Sequence, residues 1–413
     1  MLVKMKNIGN SLSILAKEQN IKSIEWQENT YSISFSSSIL DFESVWPKTD
    51  ELRNVLLSQA YLKTIESAKT DLKGFLYAVV YNAFEEPVYF YYFQYKQFNA
   101  ADSLNYTLND SLWNRLKNKV KRSVASIIHA RGLVCGNLMV TGDHGRIAAD
   151  RSDAKLDDWQ FHTLVHEQAL LASKEYGHNV GFLLAKDFKE EAPSNLSIDW
   201  NSVTVQPNMV FYLRPNWTDL PSYMSDMTSK YRKRTRSALR KVDDFVFKEV
   251  EVDEILVHID RIYDLYLEIV QRAPFNMFIL TKQYFIDLKK NLGPLCDFTL
   301  VFDENNLIAF QINIVNNDEY EAHFLGYNQA QLISHDLYLN LLLNSVKLAL
   351  ARKSDKIIFS RTAMQIKSSI GSVPEELYLY LTIRNGILNK LVKLAFKFFN
   401  PPVVFDQRHP FKK

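Results

Sequence analysis

The stretch FTLVFDENNLIAFQINIVNNDEYEAHFLGYN, residues 298–328, decides the fold class. Apolar residues run along 298–302 and alternate again along 307–315. The residues between them, Asp303, Glu304, Asn305 and Asn306, carry turn chemistry, so the spacing predicts a β-hairpin. Residues 320–326 add a third strand. Downstream, Ser334 stands before a long apolar run to Arg352 that reads as a capped helix, and residues 356–360 return as a strand. Upstream, 252–272 and 281–291 have helical spacing. The order in this half is helix, helix, hairpin, strand, helix, strand, a mixed α and β domain.

Working outward, residues 209–214 read as a short strand and 220–242 as one strongly basic helix. In the first half, 75–81 and 87–98 form a second hairpin around NAFEEP, 50–67 and 111–130 read as helices, and strands 133–140 and 181–185 flank a helix over 155–176. The polar stretch KEEAPSNLSIDWNS reads as a linker, which places a boundary near Asn201 and gives domains 1–200 and 201–413. A chain of 413 residues with 47% hydrophobic content has room for two cores and is not a disordered protein. Its 26 Phe and 21 Tyr favour β-rich sheets over a plain helical bundle. A net charge of +2 assigns any attraction for phosphate or membrane to local patches. Cys135 and Cys296 lack metal-ligand or framework spacing, which argues against zinc and disulfides and for a reducing compartment. The N-terminal stretch has no apolar run of signal-peptide length and no window spans a bilayer, so the expected location is cytoplasmic, peripheral on the inner face of the cell membrane at most.

Three stretches carry a family likeness: YMSDMTSKYRKRTRSALRKV (223–242), DENNLIAFQINIV with EAHFLGYN (303–315 and 321–328), and KIIFSRTAMQIKSSIGSVP (356–374). They resemble the Fem-like, double-domain branch of the GNAT acyltransferase superfamily, and the element order of the second half is the core order of a GNAT fold. In the first half, FYYFQYKQFNAAD and LVCGNLMVTGDHG resemble the degenerate N-terminal repeat of double-domain members. The resemblance implies an α/β (α+β) fold of two tandem GNAT-like domains, each a mixed, mostly antiparallel sheet flanked by helices. It also implies an N-acyltransferase that moves an acyl group from acyl-CoA or acyl carrier protein, a co-substrate rather than a resident cofactor, to an amine acceptor. One departure concerns the donor: the matching stretch NQAQLISHD (328–336) lacks the glycines that normally bring backbone N–H groups to a pyrophosphate.

Acyl transfer from a thioester needs a neutral amine, a polarised carbonyl and a proton for the leaving thiolate. Period-two alternation puts Glu321, His323 and Leu325 on one strand face, so His323 is the candidate base with Glu321 as its partner; the other reading is a solvated strand face. Tyr327 and Tyr338 are candidate proton donors. Arg361 and Thr362 follow an apolar strand at its carboxyl end, where open α/β sheets bind ligands, and Lys367 and Ser368 lie just beyond, so with Asn328 they are candidates for holding a donor phosphate.

KYRKRTRSALRK (230–241) carries seven basic residues and no acid. On a helix Arg234 and Arg236 fall on two different stripes, and the run is either a solvated face or a phosphate contact for CoA, phosphopantetheine, tRNA or lipid headgroups. Residues 384–399 show Lys390, Lys393 and Lys397 against an apolar remainder, the pattern of an interfacial helix drawn to anionic lipid or of a helix packed on the sheet. His162 and His166 stand four apart on a helix without a third ligand, so no metal site is read there. Asn137 and His144 shape a turn or line the groove between the halves. The leading reading is N-acylation of an amine on a lipid or envelope precursor. A Fem-like transfer from aminoacyl-tRNA to a cell-wall precursor and a non-catalytic scaffold remain as alternatives.

Overall fold

The computed structural model describes residues 21–48, 54–68, 70–99, 129–149, 158–193, 196, 198–203, 205–273, 278–390 and 405–412. In the first sheet β1 (Ile21–Trp26), β2 (Asn29–Ser36), β3 (Gly74–Tyr81), β4 (Pro87–Asn99) and β5 (His129–Cys135) form an antiparallel meander, with helix α1 (Gln59–Ser67) between β2 and β3. Strand β6 (Arg146–Ala148) pairs with β4, and helix α2 (Trp159–Glu175) crosses to β7 (Phe182–Phe188), parallel to β5. A parallel return needs such a crossover, and α2 supplies it.

Strand β8 (Asn201–Val203) ends that sheet and β9 (Asn208–Tyr212) enters the second. Then come α3 (Leu220–Ser225), α4 (Ser229–Arg240), β10 (Phe245–Glu249), α5 (Val252–Val270) and α6 (Lys282–Leu292). The antiparallel strands β11 (Cys296–Asp303), β12 (Asn306–Asn316) and β13 (Glu319–Tyr327) are next. Helices α7 (Gln329–Ser334) and α8 (Leu337–Ala351) lead to β14 (Lys356–Ile358), parallel to β13, and α9 (Met364–Ile370), β15 (Val373–Glu375) and β16 (Tyr378–Ile383) complete the fold. The second sheet is ordered β10-β11-β12-β13-β14-β9-β15. Both halves thus repeat one plan: an antiparallel meander, a crossover helix, then a parallel strand. This is the mixed α and β, tandem architecture expected of a double GNAT-like chain.

The C-terminal half lends a strand to the first sheet. β16, from the C-terminal part of the chain, pairs with β7 and β8 in the first sheet. One apolar cluster also runs through both, joining Trp46, Tyr61, Leu62, Ile65 and Tyr92 to Ile262, Leu265, Phe285 and Phe310. Buried side chains of this size stabilise by about 1.5–3 kcal/mol each, so separating the halves would expose much of each core.

Several elements differ from expectation for local reasons. The basic helix over 220–242 is two helices, because Met227 forms a β-bridge with Phe411 and the extended Thr228 donates its N–H to the Pro410 carbonyl. The helix expected from Ser334 begins at Leu337, since Asp336 is left-handed with φ 47° and breaks the run. Strand 133–140 ends at Cys135, where Gly136 takes φ 129°. Residues 111–128 and 391–404 lie outside the described residues; of the amphipathic helix over 384–399, the part described is helical at 386–390. Among the described residues no helix is long and apolar enough to cross a membrane.

Candidate functional site

Strand β13 has an irregular partner. Ile312 opposes Phe324 and Asn313 opposes Ala322, so His323 is an extra residue in a β-bulge. A bulge breaks period-two alternation. The Glu321–His323 pairing expected from that alternation is therefore replaced by other contacts. The His323 ring shares a 2.5 Å hydrogen bond between Nε2 and the Tyr284 hydroxyl, its Nδ1 is buried without a partner, and Tyr61 packs edge-on at 6.1 Å. Burial, with a smaller contribution from His144, pushes the His323 pKa down to about 3. The ring's partner is Tyr284 and its other nitrogen is buried, which corrects its assignment as a base partnered by Glu321.

The bond from His323 opens a buried polar path into the first half. The Tyr284 and Tyr61 hydroxyls lie 3.4 Å apart, Asn137 donates to Tyr61 at 3.3 Å, and Gln94 donates to Tyr92 at 2.6 Å and to Asn137 at 3.4 Å. Asn137 is thus an internal member of the interface between the halves.

Glu321 faces elsewhere. It is 2% exposed and lines a cleft of ≈ 390 Å³ between the halves. The walls carry Asp143, Glu190, Asp318, Glu319 and Glu375 besides Glu321, against Arg146, Lys189 and Lys356. Lys356 pairs with Glu319 at 2.6 Å and Arg146 with Asp143 at 3.4 Å, which leaves the acids in excess. Burial, then the neighbouring Glu319 charge, raises the Glu321 carboxyl well above the ordinary carboxylate range, while an Asn316 hydrogen bond and the Lys356 charge oppose this. His144 also lines the cleft. Its Nε2 lies 3.3 Å from the Thr141 carbonyl and its Nδ1 2.9 Å from Asn54 Nδ2, the pattern of a neutral ring with its proton on Nε2. Burial, then the Lys186 charge, lowers its pKa to about 4.

At Glu321 the second sheet opens. Pairing of β13 with β14 runs from Glu319 and Lys356 to Glu321 and Ile358, and stops. Beyond Ile358 the chain stays beside β9, with reciprocal bonds between Met209 and Phe359 or Ser360. The edge of β13 from Ala322 to Tyr327 therefore has no strand from β14 beside it. At its end Tyr327 packs against Tyr338 of α8 at 6.1 Å, and burial raises both hydroxyl pKa values, keeping both protonated.

The remaining predicted residues are scattered. Asn328 caps α7 by accepting from the Ala330 N–H at 2.9 Å, away from the cleft. Arg361 is held by both carboxylate oxygens of buried Asp187 and by the Gln206 carbonyl at 2.9 Å. Its guanidinium ties the halves together. Lys367 is buried and donates to the carbonyls of Phe359, Ser360 and Arg361, which bends a loop where Ser360, Thr362 and Ala363 have positive φ. Burial lowers its pKa to about 7, yet three carbonyl acceptors favour the ammonium form. Ser368 accepts from the Arg408 N–H at 3.1 Å and holds the C-terminal segment. Arg234 and Arg236 are both exposed on α4, and Arg234 borders a separate cleft with Met364 and Arg408. His162 bonds Tyr91 at 2.6 Å, and His166 packs edge-on to Trp200 in the first core. Sequence reasoning missed Tyr61, Tyr284, Asn54, Asn316 and Lys356; none has a local signal, and the tyrosines are two among 21.

No family model and no curated protein matches the sequence. Solved structures similar to the chain include FemX, at 12% identity over 82% of this chain and 94% of that one with a TM-score of 0.40. L-PGS from Bacillus licheniformis is similar at 10% identity over 76% and 87% with a TM-score of 0.42. A tandem GNAT protein from the clavulanic acid biosynthesis pathway is similar at 10% identity over 75% and 82% with a TM-score of 0.41. The likeness of this chain to Fem-like, double-domain GNAT proteins is one of fold, and its chemistry rests on its own side chains.

Proposed function

We propose that this protein is an N-acyltransferase whose amine acceptor binds in the acidic cleft and whose acyl donor lies along the open edge of β13. The observation that carries this reading is Glu321, a buried carboxyl at the cleft floor and at the last residue of β13 that β14 pairs. It stands where an acceptor from one side and a donor from the other would meet. An excess of acids suits a cationic amine, and the edge beyond Glu321, which β14 leaves unpaired, offers main-chain groups to a donor carbonyl and its amide arm.

The acceptor ammonium passes a proton to the Glu321 carboxylate. The freed amine attacks the thioester carbonyl, a C–N bond forms, and the C–S bond breaks. The leaving thiolate takes up, through solvent at the strand edge, the proton shed by the new amide nitrogen; Tyr327, six residues along β13 from Glu321 and so about 20 Å away, and Tyr338 packed against it stand too far off to supply it. The raised pKa of Glu321 supports a base matched to neutral pH. His323 holds the bulge in place. An aminoacyl ester donor is the second reading, favoured by the cations of α4: among the described residues Arg234 and Arg236 have no ion-pair partner.

The test is product mass spectrometry with acyl-CoA, acyl carrier protein and aminoacyl-tRNA donors against a panel of lipid and sugar amines. Glu321→Gln is expected to lower kcat by about 100-fold or more while acceptor binding stays within severalfold, and the acidic limb of the pH profile should lie above the ordinary carboxylate range. Full turnover by Glu321→Gln would sink the assignment.

A further inference from the structure

The basic helix α4 reaches the chain just downstream of each of the two parted strands, β13 and β14. Its C-terminal end meets α8, where the Ala238 carbonyl accepts from Asn340 at 2.9 Å and Lys241 pairs with Asp336 at 2.7 Å. Its middle, at Arg234, faces the start of α9 after β14 across a cleft of ≈ 460 Å³. Helix α4 therefore links α8, which follows β13, to the cleft at the start of α9, which follows β14.

That cleft is built from distant parts of the chain. Arg234 forms one side, Met364 and Ile366 another, and Phe405 and Arg408 of the C-terminal segment the third. The segment is fixed: Arg408 N–H donates to Ser368, the Gln407 side chain donates to the Ser372 carbonyl at 3.0 Å, and Phe411 packs 5.1 Å from Trp217. Arg408 pairs with the exposed Asp406 at 2.9 Å, so two guanidinium groups and one carboxylate leave a net positive charge beside apolar walls. The volume suits a nucleotide-sized ligand.

The usual phosphate anchor, a helix N-terminus, is closed to anions here. Asp336 occupies the N-cap of α8 and its carboxylate is paired with Lys241, so a phosphate at that spot would meet a like charge. The α4 cation that lines the cleft is Arg234, which shares it with Arg408.

We infer that the Arg234–Arg408 cleft holds the phosphate-bearing nucleotide end of a coenzyme-A-type donor, an inference that rests on the acyl-transfer reading above. Both guanidinium groups bind phosphate oxygens, and Met364, Ile366 and Phe405 pack against the base. The donor's thioester arm then runs under α4 to the open edge of β13.

The experiment is calorimetric titration of the full chain with coenzyme A, adenosine 3′,5′-bisphosphate, an acyl-pantetheine and bulk tRNA. Arg234→Gln and Arg408→Gln are expected to weaken coenzyme A and the bisphosphate by about 10–100-fold each, with acyl-pantetheine unchanged. Lys233→Gln, the same charge change on the same helix outside the cleft, should stay within about twofold, and melting curves check that each variant folds. Bisphosphate binding that is absent, or that survives both arginine changes, overturns the site, as does a response to tRNA alone. Acyl transfer from acyl-pantetheine in that event would leave the enzymatic reading standing. Arginine-dependent bisphosphate binding without acyl transfer from any donor would leave the site standing and remove the function assigned to it.

Discussion

Replacing Arg361 tests whether it serves a ligand or the joint between the halves. Asp187, fully buried on β7, receives Arg361 from beyond β14, Lys186 beside it, and the Gly142 N–H at 3.0 Å. Arg361→Met removes the carboxylate contacts and the bond to Gln206, while Lys186 still balances the charge. Charge-assisted hydrogen bonds contribute about 1.5–3 kcal/mol each; partial exposure of the guanidinium and the packing kept by the methionine stem reduce their sum, so the expected cost is roughly 2–3 kcal/mol. Asp187→Asn is worse, because it leaves two cations beside a neutral amide, and removing one partner of a buried pair costs about 3–5 kcal/mol. Urea denaturation at pH 7 should rank parent, Arg361→Met and Asp187→Asn in falling stability. Burial alone would raise the Asp187 pKa, but the Lys186 and Arg361 charges hold it below its ordinary value. Its contribution is therefore present above the ordinary carboxylate range and is lost as pH falls through the depressed pKa, so the gap between parent and Asp187→Asn should narrow in acid. The reasoning is refuted if Arg361→Met lies within about 0.5 kcal/mol of the parent, the range of an ordinary surface change, or if Asp187→Asn costs less than Arg361→Met. An arginine used for donor phosphate would instead raise the donor KM at unchanged midpoint.

The titrating groups of the cleft lead to two further outcomes. Because the Glu321 pKa is raised by folding, the folded state loses stability as pH rises from the ordinary carboxylate range towards that raised value; Glu321→Gln should therefore raise Tm at pH 8 and do little at pH 4, and an equal Tm change at both would count against it. With its pKa near 3, the His323 ring should give proton resonances that do not move between pH 5 and 8, and a midpoint near 6.5 would show that the ring is solvated instead of bonded to Tyr284.

The fold was legible where pattern and structure share a cause. The hairpin at 298–315 formed because its apolar faces were continuous and its turn residues tolerate unusual backbone, with Glu304 at φ 53°. Helix α5 buries Ile255, Ile262, Leu265 and Tyr266, one face of the 3.6-residue repeat visible in the sequence. The basic run was legible as charge, but its break at Met227 was not, because the cause is a strand bridge to Phe411, near the far end of the chain.

The site was less legible for a reason internal to β13. Alternation is a rule about regular pleats, and it fails where one residue is added to a strand. Here the added residue is His323 itself, so the rule paired His323 with Glu321 just where they diverge. The bulge has a physical purpose in the site. A regular β13 would aim residues 321 and 323 at one surface, either both into the cleft or both away from it. Inserting one residue lets Glu321 stay in the cleft while His323 is anchored by Tyr284, behind the strand and against the first half. That anchor ties down the strand at the point where β14 leaves it, and under the proposed acyl transfer a fixed edge is what a donor carbonyl must meet if Glu321 is to find an amine within reach of it.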